Sequence, residues 1–153
     1  MIKKHIQIIY QKNTNDGQTF FGYKLVMDLL GECEPFYLSA ATIATLSDKG
    51  RIHLAVSALT YSTIFYLLSK FEDKELVKDK IRKFKVIAET ADLTDKIINQ
   101  GLASSFSDFE DALQHYCAIA TDCNILNTRN GKDFKMSDIP VLSPQEYLNS
   151  LNK

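Results

Sequence analysis

The sequence predicts an α/β fold with a mainly parallel central sheet flanked by helices, and three observations lead there. Short runs rich in Ile, Val and Leu alternate along the chain with helix-patterned segments, the pattern of strands joined by crossover helices. The 153 residues with 45% hydrophobic content suffice for one core and are few for two. No Pro/Gly/Ser-rich linker, internal repeat or low-complexity tract marks a domain boundary.

The elements follow in order. Ile6 to Tyr10 reads as a strand, and Lys12-Asn-Thr-Asn-Asp-Gly17 after it is a strong turn signal between two strand candidates. Residues 1–19 are therefore expected to form an extension or extra hairpin ahead of a main domain at 20–153. Phe36 to Leu46 follows Pro35, a residue suited to a helix start, and repeats Phe36, Ala40, Ile43 and Leu46 at helical spacing before Gly50. Ile52 to Val56 is the next strand run, and Leu59 to Leu68 a largely apolar, interior helix. Glu72 to Lys83 is densely charged, with Glu75 beside Lys78 and Asp79 beside Lys83 on a solvated helix face. Phe84 to Ala88 reads as a strand, and Asp92 to Leu102 and Asp108 to Ala120 as helices. Strand runs at Asn124 to Leu126 and Pro140 to Leu142 precede a terminal helix that starts at Pro144 behind a Ser143 cap.

Bulk charge is balanced, 18 basic residues against 19 acidic, so it supplies no general capture of nucleic acid, and any such binding needs a local patch. Cys33, Cys117 and Cys123 are odd in number, lack C-x-x-C spacing and sit among apolar residues, as reduced thiols in the cytoplasm would. The amino terminus lacks an apolar run long enough for a signal segment, and no stretch approaches the ~18 apolar residues of a membrane span, so no membrane association is expected. His5, His53 and His115 are scattered without zinc-ligand spacing, and no Ser-His-Asp ordering suggests a hydrolase triad. Tyr61, Phe65 and Tyr66 read as core packing ahead of a base-stacking platform.

The chemistry-bearing residues gather late in the chain. Asp108 and Asp111 stand three apart at a helix start, so their carboxylates share a face where the helix dipole favours negative charge. The same pattern serves as simple capping, with Asp108 as N-cap or Ser107 and Glu110 as a capping box. His115 follows Asp111 by one turn, where it can orient that carboxylate or form a helix ion pair. The strand Asn124-Ile-Leu then runs into Thr128-Arg-Asn130 and Asp133-Phe134, and polar groups at a strand's carboxyl end are where open parallel sheets place their sites.

Ser107-Asp-Phe-Glu-Asp-Ala-Leu-Gln114, then Thr128-Arg-Asn-Gly-Lys-Asp-Phe134, then Ile139-Pro-Val-Leu-Ser-Pro-Gln-Glu-Tyr-Leu148, resembles the carboxyl-terminal half of PIN domains, especially bacterial ones of the VapC toxin type. Upstream, Asp28-Leu-Leu-Gly-Glu-Cys-Glu-Pro-Phe-Tyr37 and Ile52-His-Leu-Ala-Val-Ser-Ala-Leu59 resemble the first part of the same family, so the resemblance runs from about residue 20 to the end. It implies a three-layer fold with four helices around a parallel sheet. It also implies hydrolysis of single-stranded or structured RNA with Mg²⁺ or Mn²⁺ held by clustered carboxylates. An antitoxin protein and a second copy of the chain are the partners it implies.

Carried over residue by residue, the resemblance makes Asp111 the best metal-binding and catalytic carboxylate, with Asp108 as a second ligand and Asp133 and Glu110 as assisting acids. Thr128, Arg129 and Asn130 become candidates for substrate binding. Three family acid positions hold other residues, Gly22 in the Gly22-Tyr23-Lys24 triplet after the first strand, Thr63, and Asn130. A carboxylate a few ångströms from a divalent ion contributes on the order of several kcal/mol even at an effective dielectric of about 20, and Gly22 supplies none of it. Lys24 is expected to put a positive charge beside the pocket that competes with the ion. Asp28 and Asp16 are the candidates to replace the missing acid by reaching in from nearby. Two readings follow, a metal-dependent PIN ribonuclease and an impaired PIN-like domain that binds RNA or a protein partner.

Overall fold

The computed structural model describes residues 18–152. Its strands are β1 (Gln18–Phe21), β2 (His53–Ser57), β3 (Ala88–Ala91), β4 (Ile125–Asn127) and β5 (Val141–Leu142). The helices are α1 (Tyr23–Leu30), α2 (Tyr37–Asp48), α3 (Ala58–Leu68), α4 (Lys74–Ile87), α5 (Asp95–Ala103), α6 (Phe109–Ala120) and α7 (Pro144–Leu151), with a 3₁₀ turn at Gly131–Phe134. The five strands form one sheet in the order β3-β2-β1-β4-β5, and every pairing is parallel. Seven α-helices flank it among the described residues, more than the four implied by the resemblance.

Alternation along the strands builds two cores, one on each face of the sheet. Phe21, Leu54 and Val56 point to one side, into a cluster with Leu25, Ile43, Ile64, Val77 and Phe84 from α1 to α4 and Tyr147 from α7. Phe20, Ala55 and Leu126 point to the other side, against Ile97 of α5 and Leu113, Cys117 and Ala118 of α6. Helix, sheet and helix layers result, because strands buried on both faces need apolar residues at consecutive positions.

The sequence pattern misplaces the third strand. Phe84 to Ala88 reads as a strand because Phe, Val and Ile crowd together, yet Phe84 closes a helical stripe with Val77 and Ile81, leaving Val86 83% exposed on the far side. The helical period wins, and α4 passes directly into β3 at Ala88. Expected pairing is also adjusted there: Lys78 meets Glu75 at 3.5 Å, whereas Asp79 pairs with Arg82 in place of Lys83. Tyr61 and Phe65 pack on the core, and Tyr66 lies 64% exposed with Lys70 over its ring, so α3 is interior on one side only.

The central strand β1 begins at Gln18, so Gln18 and Thr19 of the expected extension belong to the sheet, and both edges of β1 are taken by β2 and β4. The strand expected at Ile6 to Tyr10, the turn after it and Asp16 lie outside the described residues. Cys117 and Cys123 are buried and Cys33 is half-buried, all three as free thiols, and burial pushes the Cys123 thiol up to about 11. No described helix is long and apolar enough to cross a membrane.

The terminal helix carries the full capping box, the Glu146 N–H donating to Ser143 Oγ at 3.1 Å and the Ser143 N–H to Glu146 Oε1 at 2.9 Å. Ser143→Ala is expected to cost about 1 kcal/mol, read from the urea midpoint.

Candidate active site

Leaving β1, the chain moves outward to β2 and β3 on one side of the sheet, whereas β4 and β5 lie on the other. Connections that diverge from adjacent parallel strands leave a crevice at their carboxyl ends. Gly22 after β1 and Thr128 after β4 stand at this crevice, and the Gly22 N–H donates to the Asn127 carbonyl at 3.0 Å. Asp111 and Gln114, one turn apart on α6, line the same pocket, with Lys24 and Asp133 across from them.

Each lining group has a local reason to be there. α1 starts at Tyr23 with unpaired backbone donors, and Gln114 Oε1 accepts the Tyr23 N–H at 2.9 Å. Asp108 is the N-cap of α6, its Oδ1 accepting the Asp111 N–H at 2.9 Å, so capping is its observed role and the Ser107 alternative is set aside. Glu110, next to Asp111, faces the Thr63 hydroxyl, which donates to its Oε1 at 3.3 Å. A helix start on α6 thus presents three acids within one turn.

Asp111 is 8% exposed, and its carboxyl is pushed up to about 6. Burial is the main cause, followed by the charges of Asp108 and Asp133, with Lys24 pulling the other way. Burial also raises the Glu110 carboxyl, with the Thr63 hydrogen bond opposing, and it raises the Tyr23 phenol, with Glu110, Asp111 and Asp108 adding to the shift. Three neighbouring groups are all pushed toward their neutral forms when acidic, the electrostatic signature of a desolvated, electronegative pocket. Its positive contribution comes from Lys24, whose Nζ lies 3.7 Å from Asp133 Oδ2.

The candidate residues divide accordingly. Asp111, Asp133, Thr128 and Gly22 meet at the pocket, and Asp108 and Thr63 adjoin it through Asp111 and Glu110. Arg129 turns elsewhere, its guanidinium 3.0 Å from Asp28 Oδ1 and 5.5 Å from the Phe36 ring. Asn130 heads the 3₁₀ turn, its carbonyl accepting the Asp133 N–H at 3.0 Å. Asp28 is neither a cap nor at the surface. It is 1% exposed and committed to Arg129, so it does not replace the acid absent at Gly22. His115 is fully buried against Phe106 and Tyr116, and its Nε2 lies 3.5 Å from Asp138, so it is not held by Asp111. Gln114 and Tyr23 lacked a role at the level of sequence. Gln114 sits one turn after Asp111 on the same face, which is the signal that could have placed it at the site.

Mg²⁺ and Mn²⁺ take several oxygen ligands, Mg²⁺ with near-octahedral geometry. The residues present do not fit such an ion. Among the described residues no group of three His, Cys, Asp or Glu side chains converges as metal ligands. Asp108 serves the helix start, Asp133 serves Lys24, and Gly22 brings no side chain. Space is not the obstacle, because a Cβ at Gly22 would sit 3.6 Å from Asn127 O, Gln114 Oε1 and Thr128 Oγ1, ordinary contact distances.

Comparison with known proteins places this architecture. Ribonuclease VapC1 of Aquifex aeolicus (strain VF5) is 23% identical over 143 residues, spanning 90% of this chain and 98% of that protein. VapBC2 from Rickettsia felis, solved bound to a promoter DNA fragment, superposes with a TM-score of 0.62 at 19% identity, covering 82% of this chain and 98% of that one. Mycobacterium tuberculosis VapC20, a toxin that cleaves the sarcin-ricin loop, gives a TM-score of 0.60 at 11% identity over 75% of this chain and 92% of its own. The family model described as PIN domain matches residues 24–132, which is most of the chain and includes Lys24, Asp108, Glu110, Asp111 and the Thr128-Arg129-Asn130 turn. The chain belongs to the PIN-domain family.

Proposed function

We propose that this chain is an RNA-directed PIN protein, the ribonuclease toxin of a toxin-antitoxin pair, and that an RNA phosphodiester enters the pocket at the carboxyl ends of β1 and β4. The observation that carries the reading is that Asp111, its carboxyl pushed up to about 6, and the cation of Lys24 line one pocket. A carboxylate with that pKa is suited to accept a proton near neutral pH. Water would attack phosphorus as Asp111 takes its proton, the bond to the leaving ribose oxygen would break, and solvent would protonate that oxygen. Lys24 and the Thr128 hydroxyl would face the phosphate. Members of this family generally use Mg²⁺ or Mn²⁺; because the donor set does not fit one, no step is assigned to an ion. Similarity to toxin-antitoxin complexes supports an antitoxin protein as the partner.

The test is cleavage of a labelled single-stranded RNA in Mn²⁺, Mg²⁺ or EDTA. The expected outcome is cutting by the parent that falls by roughly 100-fold or more in Asp111→Ala. Equal cutting by Asp111→Ala would overturn the assignment. A second reading, RNA or partner binding without turnover, is favoured by the Lys24 to Asp133 ion pair and by Gly22. Its signature is RNA retained without product by the parent.

A further inference from the structure

Three of the acids at and beside this pocket are engaged by the chain itself. Asp108 Oδ1 holds the Asp111 N–H at 2.9 Å, Glu110 Oε1 accepts from Thr63 at 3.3 Å, and Asp133 Oδ2 lies 3.7 Å from Lys24 Nζ. The amide oxygen of Gln114, beside Gly22, accepts the Tyr23 N–H at 2.9 Å. Among the described residues Asp111 is left as the lining acid whose carboxylate accepts no hydrogen bond, and the cation that lines the pocket with it is the Lys24 ammonium on α1.

That ammonium is not a surface charge resting near the pocket by accident. Lys24 is the second residue of α1, whose start is fixed from both sides, by Gln114 on the Tyr23 N–H and by the Gly22 N–H on Asn127. The side chain is less than one-third exposed and lines the cavity together with Asp111 and Asp133. A tethered cation is present at high effective concentration, because the chain has already met the entropic cost of bringing it there. An ion entering from solvent would have to displace it from Asp133 and would then share the pocket with a like charge.

We infer that the Lys24 ammonium is the resident cation of this pocket, neutralising the Asp111 and Asp133 carboxylates in place of a divalent ion, and that the chain retains no Mg²⁺ or Mn²⁺ there while Lys24 is in position. Two changes then stand between this pocket and a metal site: removal of the lysine charge and return of an oxygen donor at Gly22. The Cβ clearances of 3.6 Å at Gly22 leave room for the second. The inference rests on the reading above only for the location of the site, and metal binding is measured without RNA, so the two fail separately.

The experiment compares the parent chain with Lys24→Gln, Gly22→Asp and the double variant, after circular dichroism has verified the fold of each. Mn²⁺ occupancy is read by electron paramagnetic resonance and by melting temperature at about 1 mM Mn²⁺. The parent is expected to leave all Mn²⁺ free and to melt at the same temperature with Mn²⁺ as with EDTA. The double variant is expected to bind about one Mn²⁺ and to melt ~5 °C higher at saturating metal, since a ligand stabilises only a native site. Stoichiometric Mn²⁺ binding by the parent that is lost in Asp111→Ala would overturn the inference, and this arm needs no engineered pocket. A folded double variant that binds no Mn²⁺ would also overturn it, because Lys24 would then not be what keeps the ion out.

Discussion

Arg129→Met is expected to destabilise the protein by about 3 kcal/mol near neutral pH, the lower end of the range for breaking a buried ion pair. Asp28 is 1% exposed, with Oδ1 3.0 Å from the Arg129 guanidinium and Oδ2 without a hydrogen bond among the described residues. Without Arg129, a buried carboxylate remains with nothing to compensate it. The Arg129 side chain is itself one-third exposed, so water already screens part of the pair, and the cost stays near the bottom of the range. Burial holds the Asp28 carboxyl above its ordinary value, and Arg129 opposes that shift. Removing Arg129 therefore raises the folded-state value further. An acid raised on folding binds more protons in the native state, so the penalty is absent below the unfolded value near 4 and grows as pH rises through the folded one. Urea denaturation at pH 4 and pH 7.5 should show the destabilisation only at the higher pH, and Asp28→Asn in the Arg129→Met background should recover most of it.

Asp111→Asn is expected to stabilise the protein while removing any activity at the pocket. The Asp111 carboxyl is raised from its ordinary 3.8 to about 6, mainly by burial and then by Asp108 and Asp133. The native state therefore favours the protonated form, and ionising it at pH 7.5 costs at most about 3 kcal/mol. The sign follows from linkage. Both states are protonated at pH 3, the cost builds as pH passes from about 4 to 6, and it is complete above about 7. Asn keeps the shape without the charge, so melting curves in EDTA should coincide near pH 3 and separate at pH 7.5 with Asn the more stable. Coincident curves at both values would mean that Asp111 is not held in an electronegative, desolvated pocket.

The fold was legible where periodicity was strong. Ile52 to Val56 and the segment from Asp108 to Ala120 each carry one dominant period, and β2 and α6 lie where those periods put them. Reading failed at Phe84 to Ala88, where a β-rich composition competed with an apolar stripe at helical spacing, and burial of Val77 and Phe84 on one core decided for the helix. β1 was obscured for a different reason: it has four residues, and the Gly17 turn signal ahead of it drew attention to a hairpin. The site was half legible. Asp111 stood out because it matches the acid that opens the Asp-Ala-Leu helix of PIN domains, and Lys24 because it falls in the Gly22-Tyr23-Lys24 triplet where the family carries its first acid, so that its charge has a direct electrostatic consequence. Asp28 was not legible, since its burial depends on Arg129, 101 residues away, folding back onto α1. The place of Gln114 was legible from its spacing to Asp111, but its role was not, because accepting a backbone hydrogen bond from α1 is a relation between two helices.

The most direct test of the account is where RNA touches the protein. Backbone amide shifts should be followed in a ¹⁵N-labelled Asp111→Asn protein as a single-stranded RNA is titrated in EDTA, the variant preventing cleavage. Perturbations concentrated at Gly22, Tyr23, Lys24, Gln114 and Thr128 are the predicted result. Shifts that instead follow the exposed basic side of α4, at Lys74, Lys78, Lys83 and Lys85, with none at the pocket, would contradict it.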